Sequence, residues 1–374
     1  MSLNPIVKNA NVCRVLVAPL DWGLGHTTRC IPVIYELIRQ GAEVWIAGEG
    51  MQVDLLKKEF PQLQYLPLKG YRIKYSRTRR GLLFSLLRQI PAILKIIRYE
   101  NHWLKEMVDM FRIDAIISDN RFGLWNPGII SIFMTHQLRI KSPLGKISED
   151  VLQKRNYQYI RRFNECWIPD KSDDNGLAGS LSHPKRLPNI PVHYAGILSR
   201  LKRTGTGIKK GHLFISLSGP EPQRSLLEEI VIRDISHYHG TAVIVRGLPG
   251  HQNIIPSTND IIFYNHLEAF EYNAEMEKAE WVICRSGYST IMDLAVLQKK
   301  SILIPTPGQT EQQYLGQFLQ EKKFAVSMDQ NEFSLSEALS KAEQFEYDLP
   351  AISDTNLKIL VSSLIQKIRA RFEE

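Results

Sequence analysis

The stretch Cys284-Arg-Ser-Gly-Tyr-Ser-Thr-Ile-Met-Asp293 closes an apolar run, Trp281–Cys284, and opens a helical pattern over Ser289–Leu297. Strand, small-residue loop and helix follow one another without a break, the connection expected in a parallel sheet. Ser286, Gly287, Ser289 and Thr290 gather hydroxyl and amide donors at a helix N-terminus. Unpaired N–H groups and the helix dipole there suit a pyrophosphate. Asp293 comes about one turn later, where its carboxylate can accept from ribose hydroxyls. The same residues also serve as ordinary helix caps, and this cluster alone supports either reading.

One strand further on, past Ser301–Ile304, lies Pro305-Thr-Pro-Gly-Gln309-Thr-Glu-Gln312-Gln313, whose Gln309, Gln312 and Gln313 amides can read sugar hydroxyls. Two donor-rich clusters flanking one strand are harder to ascribe to capping than either alone. Upstream, strands are expected at His212–Leu217, Thr241–Val245 and Ile261–Tyr264, with helices at Gln223–His237, Ala269–Lys278 and, downstream, Glu311–Glu321. At the first of these crossings, Ser216-Leu-Ser-Gly-Pro-Glu-Pro-Gln-Arg224 offers Ser218 and Gly219 as donors and Arg224 as a phosphate partner. A helix start with Pro in its first turn accounts for it equally well.

Before this half the pattern lapses into Ser199-Arg-Leu-Lys-Arg-Thr-Gly-Thr-Gly, a linker composition. The expected organisation is therefore an N-terminal domain over 1–198, a linker over 199–211 and a second domain over 212–353. An amphipathic helix at Asn356–Arg371 carries Leu357, Leu360, Val361, Leu364 and Ile368 on one stripe. Segment 354–374 is expected to pack back on the first domain. That domain alternates in the same way: strands at Val12–Pro19, Glu43–Ala47, Leu63–Leu66, Ile113–Ser118, Ile129–Thr135 and Glu165–Ile168. Helices are expected at His26–Gln40 and, interrupted at Pro91, over Gly81–Phe111. The result is two doubly wound α/β domains facing a central cleft, with the chemistry in loops after strands.

Pro19-Leu-Asp-Trp-Gly-Leu-Gly-His26 follows the first strand. Gly23 and Gly25 allow a tight turn against a ligand, and the GxGxxG dinucleotide pattern fails because Arg29 holds its third glycine position. No nicotinamide, flavin or other cofactor is implied. His26, at the helix start, is either a general base for an acceptor hydroxyl or a residue packing the first turn. Asp119, in Ile117-Ser-Asp-Asn-Arg-Phe-Gly123, orients His26 or a substrate hydroxyl, or forms a turn.

These residues resemble those of glycosyltransferase family 28, of GT-B architecture, which includes the N-acetylglucosaminyl transferase of peptidoglycan synthesis and the diacylglycerol glycosyltransferases. The family's Ser-Gly-x-x-Thr loop, acidic helix residue and Gln-Gln pair are matched by Ser286, Gly287, Thr290, Asp293, Gln312 and Gln313. The acidic position is usually Glu in the peptidoglycan enzyme, so Asp293 is shorter. The Gly-x-Gly-His element is matched by Gly23, Gly25 and His26; the Ser218–Gly219 loop carries prolines in place of further glycines. The resemblance implies a UDP-sugar donor in the C-terminal half and transfer with inversion to an acceptor hydroxyl deprotonated by His26. No metal is called for, and no DxD element is present. The acceptor does not carry over, because similarity in the N-terminal half is faint outside the glycine loop. A nucleotide-sugar epimerase of the same architecture would share the donor loops without needing an acceptor. A non-catalytic nucleotide-sugar or anionic-ligand binding protein would bind UDP without turnover.

The 374 residues suit two cores, and the formal charge of +8 points to an anionic partner. Lys69, Arg72, Lys74, Arg77, Arg79, Arg80, Arg88, Lys95 and Arg98 occupy Lys69–Arg98 with no acidic residue between them. Leu83, Leu86, Leu87, Ile90, Leu94 and Ile97 are interleaved there at helical spacing. The apolar stripe is expected to face the core. The arginines suit peripheral contact with an anionic membrane and a lipid-linked acceptor. No nucleic-acid module is recognisable. Four scattered cysteines without metal-ligand spacing, a polar N-terminus and no long apolar run are expected of a cytoplasmic protein, peripheral on the inner membrane face.

Overall fold

The computed structural model describes residues 12–72, 79–173, 176–352 and 356–373, with side chains undescribed within 79–88 and at 373. It contains two compact units. Residues 12–72, 85–173, 176–200 and 356–373 form the first, and 79–84 and 201–352 fall in the second.

The first unit runs β1 (Arg14–Ala18), α1 (Leu24–Arg39), β2 (Glu43–Gly48), α2 (Met51–Glu59), β3 (Gln64–Pro67), α3 (Arg79–Phe111, of which 85–111 belong to this unit), β4 (Ala115–Asp119) and β5 (Ile130–Met134). It continues with α4 (Lys146–Ile160), β6 (Glu165–Ile168) and β7 (Val192–Tyr194). The seven strands form one sheet in the order β3-β2-β1-β4-β5-β6-β7, every pair parallel. Strands β1, β4 and β5 are buried along their whole length, as near-continuous apolar runs must be when helices cover both faces. The order reverses between β1 and β4, where Ala18 is paired with Ser118. In such sheets the crevice for a ligand opens at the carboxyl ends of the two strands that flank the reversal.

The second unit runs β8 (Lys209–Ser216), α5 (Gln223–Ile235), β9 (Thr241–Val245), β10 (Ile261–Tyr264), α6 (Ala269–Lys278), β11 (Ala279–Cys284), α7 (Tyr288–Leu297) and β12 (Ser301–Leu303). It ends with α8 (Thr310–Glu321), β13 (Val326–Ser327) and α9 (Leu335–Gln344). Its sheet is parallel throughout, in the order β10-β9-β8-β11-β12-β13, and reverses between β8 and β11. Leu213, Ile215, Ile244, Ile283 and Ile302 lie at the centre of its core.

Helix α10 (Leu357–Glu373) returns to the first unit and packs on α1. Leu357, Val361, Leu364, Ile365 and Ile368 are buried, Gln40 donates to the Lys358 carbonyl at 3.0 Å, and Lys367 pairs with Glu165. Leu360, on the expected stripe, is only partly buried because the buried face is set by α1.

Three sequence expectations need correction. Helix α3 continues through Pro91 instead of breaking there. The lost N–H removes one hydrogen bond, which a helix of this length can lose while keeping the rest of its ladder. Strand β8 begins at Lys209, inside the expected linker, because Lys209 finds a partner in Ala279 of β11. On α3 the apolar stripe divides: Ile97 is buried, whereas Ile90 and Leu94 are 44% and 38% exposed. Lys74, Arg77, Arg79, Arg80, Leu83, Leu86, Leu87 and Arg88 fall outside the described side chains. Among the described residues no helix is long and apolar enough to cross a membrane.

Candidate functional site

Two clusters of the sequence-predicted residues lie at the two strand-order reversals. In the first unit the chain leaves β1 and turns at Gly23, whose φ of +83° is a conformation that disfavours any side chain. Gly25 and His26 then form the first turn of α1. Because β4 lies beside β1, Asp119 at the end of β4 approaches this turn, and its Oδ2 lies 3.0 Å from His26 Nδ1.

Arg29, one turn along α1, was expected only as a break in a glycine pattern. It is instead the hub of the cluster. Its Nε donates to Asp119 Oδ2 at 2.9 Å and its Nη2 pairs with Asp119 Oδ1. The same Nη2 lies 2.8 Å from His26 Nδ1, and Nη1 lies 3.0 Å from Nδ1 of His136, just beyond β5. Arg29, Asp119 and His136 are buried, while the His26 side chain keeps 16% of its surface exposed. The spacing of three between His26 and Arg29 was legible as one helix face. His136 gave no signal, because only sheet order brings it near.

Burial pushes the Asp119 carboxyl up, but Arg29 and His26 outweigh it and leave it below the usual carboxylate range. Burial and then Arg29 lower the pKa of His26, against the opposing pull of Asp119. The imidazole is therefore neutral near pH 7. Its Nδ1 faces both a donor and an acceptor and can serve only one. With the proton on Nδ1, shared with Asp119, Nε2 carries a lone pair and can accept a proton.

Neighbouring side chains brace the loop between β1 and α1. Asp21 accepts from the Tyr71 and Arg72 backbone N–H groups at 2.8 and 2.9 Å. Arg121, two residues beyond Asp119, is paired with buried Glu100 at 2.8 Å and donates to the Pro19 carbonyl at 3.3 Å.

In the second unit, loops after β8, β11 and β12 converge. Ser218 and Gly219 are exposed, and Gly219 has φ +108°. Gly287 precedes the first turn of α7, and a Cβ built on it meets nothing within 4 Å, so its surroundings are open. Ser289, Thr290 and Asp293 follow on α7, half-buried. Ser286 is fully buried and donates to the Gln312 carbonyl at 2.8 Å, so it ties α7 to α8.

Two expected ligand contacts are taken up by the protein itself. Arg224 lies between Glu221 and Glu228, at 2.5 and 3.2 Å, because helical spacing places both carboxylates around it. The Gln312 amide accepts from Thr306 N–H at 2.9 Å and donates to Gln309 Oε1 at 2.6 Å, which shapes the loop instead of leaving both amides open. Gln313 stands on the same turn, half-buried. Arg285, beside Ser286, is buried with four oxygen partners, and sequence reasoning passed over it.

Residues 250–365 match the glycosyltransferase family 28 C-terminal domain. Solved structures share the fold across nearly the whole chain. The glycotransferase of kitacinnamycin has a TM-score of 0.63 at 13% identity, covering 96% of both chains. MurG of Acinetobacter baumannii has a TM-score of 0.53 at 15% identity, covering 95% of this chain and 99% of that one. Together these define the class: the chain is a glycosyltransferase of GT-B architecture whose residues 250–365 match the family 28 C-terminal domain.

Within that class it is similar to the UDP-N-acetylglucosamine--N-acetylmuramyl-(pentapeptide) pyrophosphoryl-undecaprenol N-acetylglucosamine transferase of Pasteurella multocida. The two are 24% identical over 337 residues, 89% of each chain. The enzyme of the same name from Coxiella burnetii is 21% identical over 384 residues, 96% of this chain and 97% of that one.

Proposed function

We propose that this glycosyltransferase moves a sugar from a UDP-sugar to an acceptor hydroxyl with inversion and without a metal. The observation that carries the proposal is the His26–Asp119 contact at the carboxyl ends of β1 and β4, in a unit separate from the donor-type loops. An epimerase would use a base as well, so the requirement for an acceptor is what separates the two readings. The acceptor oxygen loses its proton to His26 Nε2 and bonds to the anomeric carbon from the face opposite the leaving group. The bond from that carbon to the diphosphate oxygen breaks, and its electron pair departs with UDP. The α7 N-terminus, with Gly287, Ser289 and Thr290, faces the diphosphate alongside Ser218 and Gly219, and Asp293 the ribose. Gln313, with Gln309, faces the sugar. Relatives named for a UDP-linked donor and a pyrophosphoryl-undecaprenol acceptor support UDP and a lipid-linked acceptor. The basic stretch and the exposed Ile90 and Leu94 support peripheral contact with an anionic membrane on its cytoplasmic face.

Calorimetry with UDP, GDP and TDP on the wild type and on Asp293→Ala tests the donor site. UDP binding that weakens in the variant is expected; binding of none of the three nucleotides removes the reading. With a UDP-sugar and a lipid-linked acceptor, His26→Ala should lower kcat by roughly 10²–10⁴ with little change in UDP affinity. Turnover of the UDP-sugar to an altered free sugar without acceptor would favour the epimerase instead.

A further inference from the structure

Arg285 is 1% exposed and lies under the loops that form the proposed donor site. Its Nε donates to the Ser218 carbonyl at 3.4 Å, and its Nη1 to the Ile304 carbonyl at 3.1 Å. Its Nη2 donates to the Gln223 carbonyl at 2.7 Å and to Gln330 Oε1 at 2.6 Å. Every one of these partners is neutral. Among the described residues the buried arginines Arg14, Arg29, Arg121 and Arg224 each pair with a carboxylate, and Arg285 does not.

A buried cation without an anion is a standing electrostatic penalty, and burial lowers the Arg285 pKa to about 10. It remains charged at neutral pH, and its field is directed into a low-dielectric region. A Cβ built on exposed Gly219 would lie 3.9 Å from Arg285 Nε and 3.5 Å from Thr306 Oγ1. That Thr306 hydroxyl is itself buried with no hydrogen-bond partner. A cation without a counter-charge and a hydroxyl without a partner thus converge beneath one open glycine.

We propose that Arg285 supplies the positive charge that makes this site select a nucleoside diphosphate over the neutral nucleoside. Arg224, the cation expected from the sequence, is already neutralised by its two carboxylates. Arg285 acts through the loop and through its field without touching the ligand, so it is a positioning residue that also holds three strand ends together. The inference rests on the donor-site reading and adds the origin of its charge selectivity.

The test is the ratio of UDP to uridine affinity, by competition against a fluorescent uridine nucleotide, in the wild type, Arg285→Gln and Arg285→Lys. Loss of the charge should weaken UDP on the order of tenfold while uridine changes less than about twofold. Arg285→Lys, which retains charge but not the fork, should keep most of the preference for UDP. Equal weakening of both ligands in Arg285→Gln would make the residue a brace alone and overturn the inference, as would an unchanged ratio. If Arg285→Gln does not fold, a Lys variant that folds and loses the UDP preference overturns it equally. A wild type that binds neither ligand removes the donor-site reading itself, a result distinct from all of these.

Discussion

Burial and then Arg29 set the basicity of His26. Arg29 holds Asp119 with two nitrogens and lies 2.8 Å from His26 Nδ1, so its charge disfavours a second positive charge on the imidazole. Because the His26 pKa is lowered from 6.5, the basic form persists below that pH, and the acid limb of kcat/KM should fall below 6.5. Arg29→Gln removes a lowering charge while leaving Asp119 in place. The acid limb should therefore move upward in pH, and kcat should fall because the imidazole loses its brace. Arg29→Lys should keep the limb near its wild-type position. His136 and Cys30 also face this cluster, so both variants need their pH profiles measured in full. A limb that does not move in Arg29→Gln would leave Arg29 a structural role only. For stability the sign follows from Asp119. A carboxyl held below its usual range contributes stability above the unfolded pKa of about 3.9 and loses it as pH falls through the lowered value.

At the scale of elements, α10 illustrates how distant sequence completes a core. Leu364 is 2% exposed and Val361 is fully buried in the face packed on α1. Leu364→Ala removes buried apolar volume that the surrounding helices refill only in part. It should lower unfolding free energy by about 2–5 kcal/mol, read by denaturant titration. Because the proposed donor loops belong to the other unit, UDP affinity under native conditions should be unchanged. A concurrent loss of UDP binding would show that α10 supports more than the core of its own unit.

For the whole molecule, the excess charge of +8 is concentrated in part in the uninterrupted basic stretch Lys69–Arg98. The chain should co-sediment with vesicles containing anionic lipid and be released as salt rises, since the Debye length shrinks from about 10 Å at 0.1 M to about 3 Å at 1 M. Retention at high salt would indicate that apolar insertion through residues such as Ile90 and Leu94 dominates. Failure to bind such vesicles at low salt would remove the membrane proposal.

The parallel sheets were legible because fully buried strands read as apolar runs and helices as periodic stretches between them. Thr241–Val245, Ile261–Tyr264 and Glu165–Ile168 have the same bounds in sequence and structure. The short strands β7 and β13 escaped notice because three and two residues carry no period. The glycine and serine loops were also legible, since helix starts and tight turns need those residues whatever surrounds them. Charge pairing was not. Arg29 and Arg121 meet Asp119 and Glu100 only through the fold, and among the described residues Arg285 meets no carboxylate, whereas Arg224 lies between Glu221 and Glu228 of its own stretch of chain. Sequence by itself determined where the strand-end loops fall and which donors they carry. Tertiary structure decided which buried charges are compensated, because the partners of Arg29 and Arg121 arrive from residues distant in the chain and none arrives at Arg285 among the described residues.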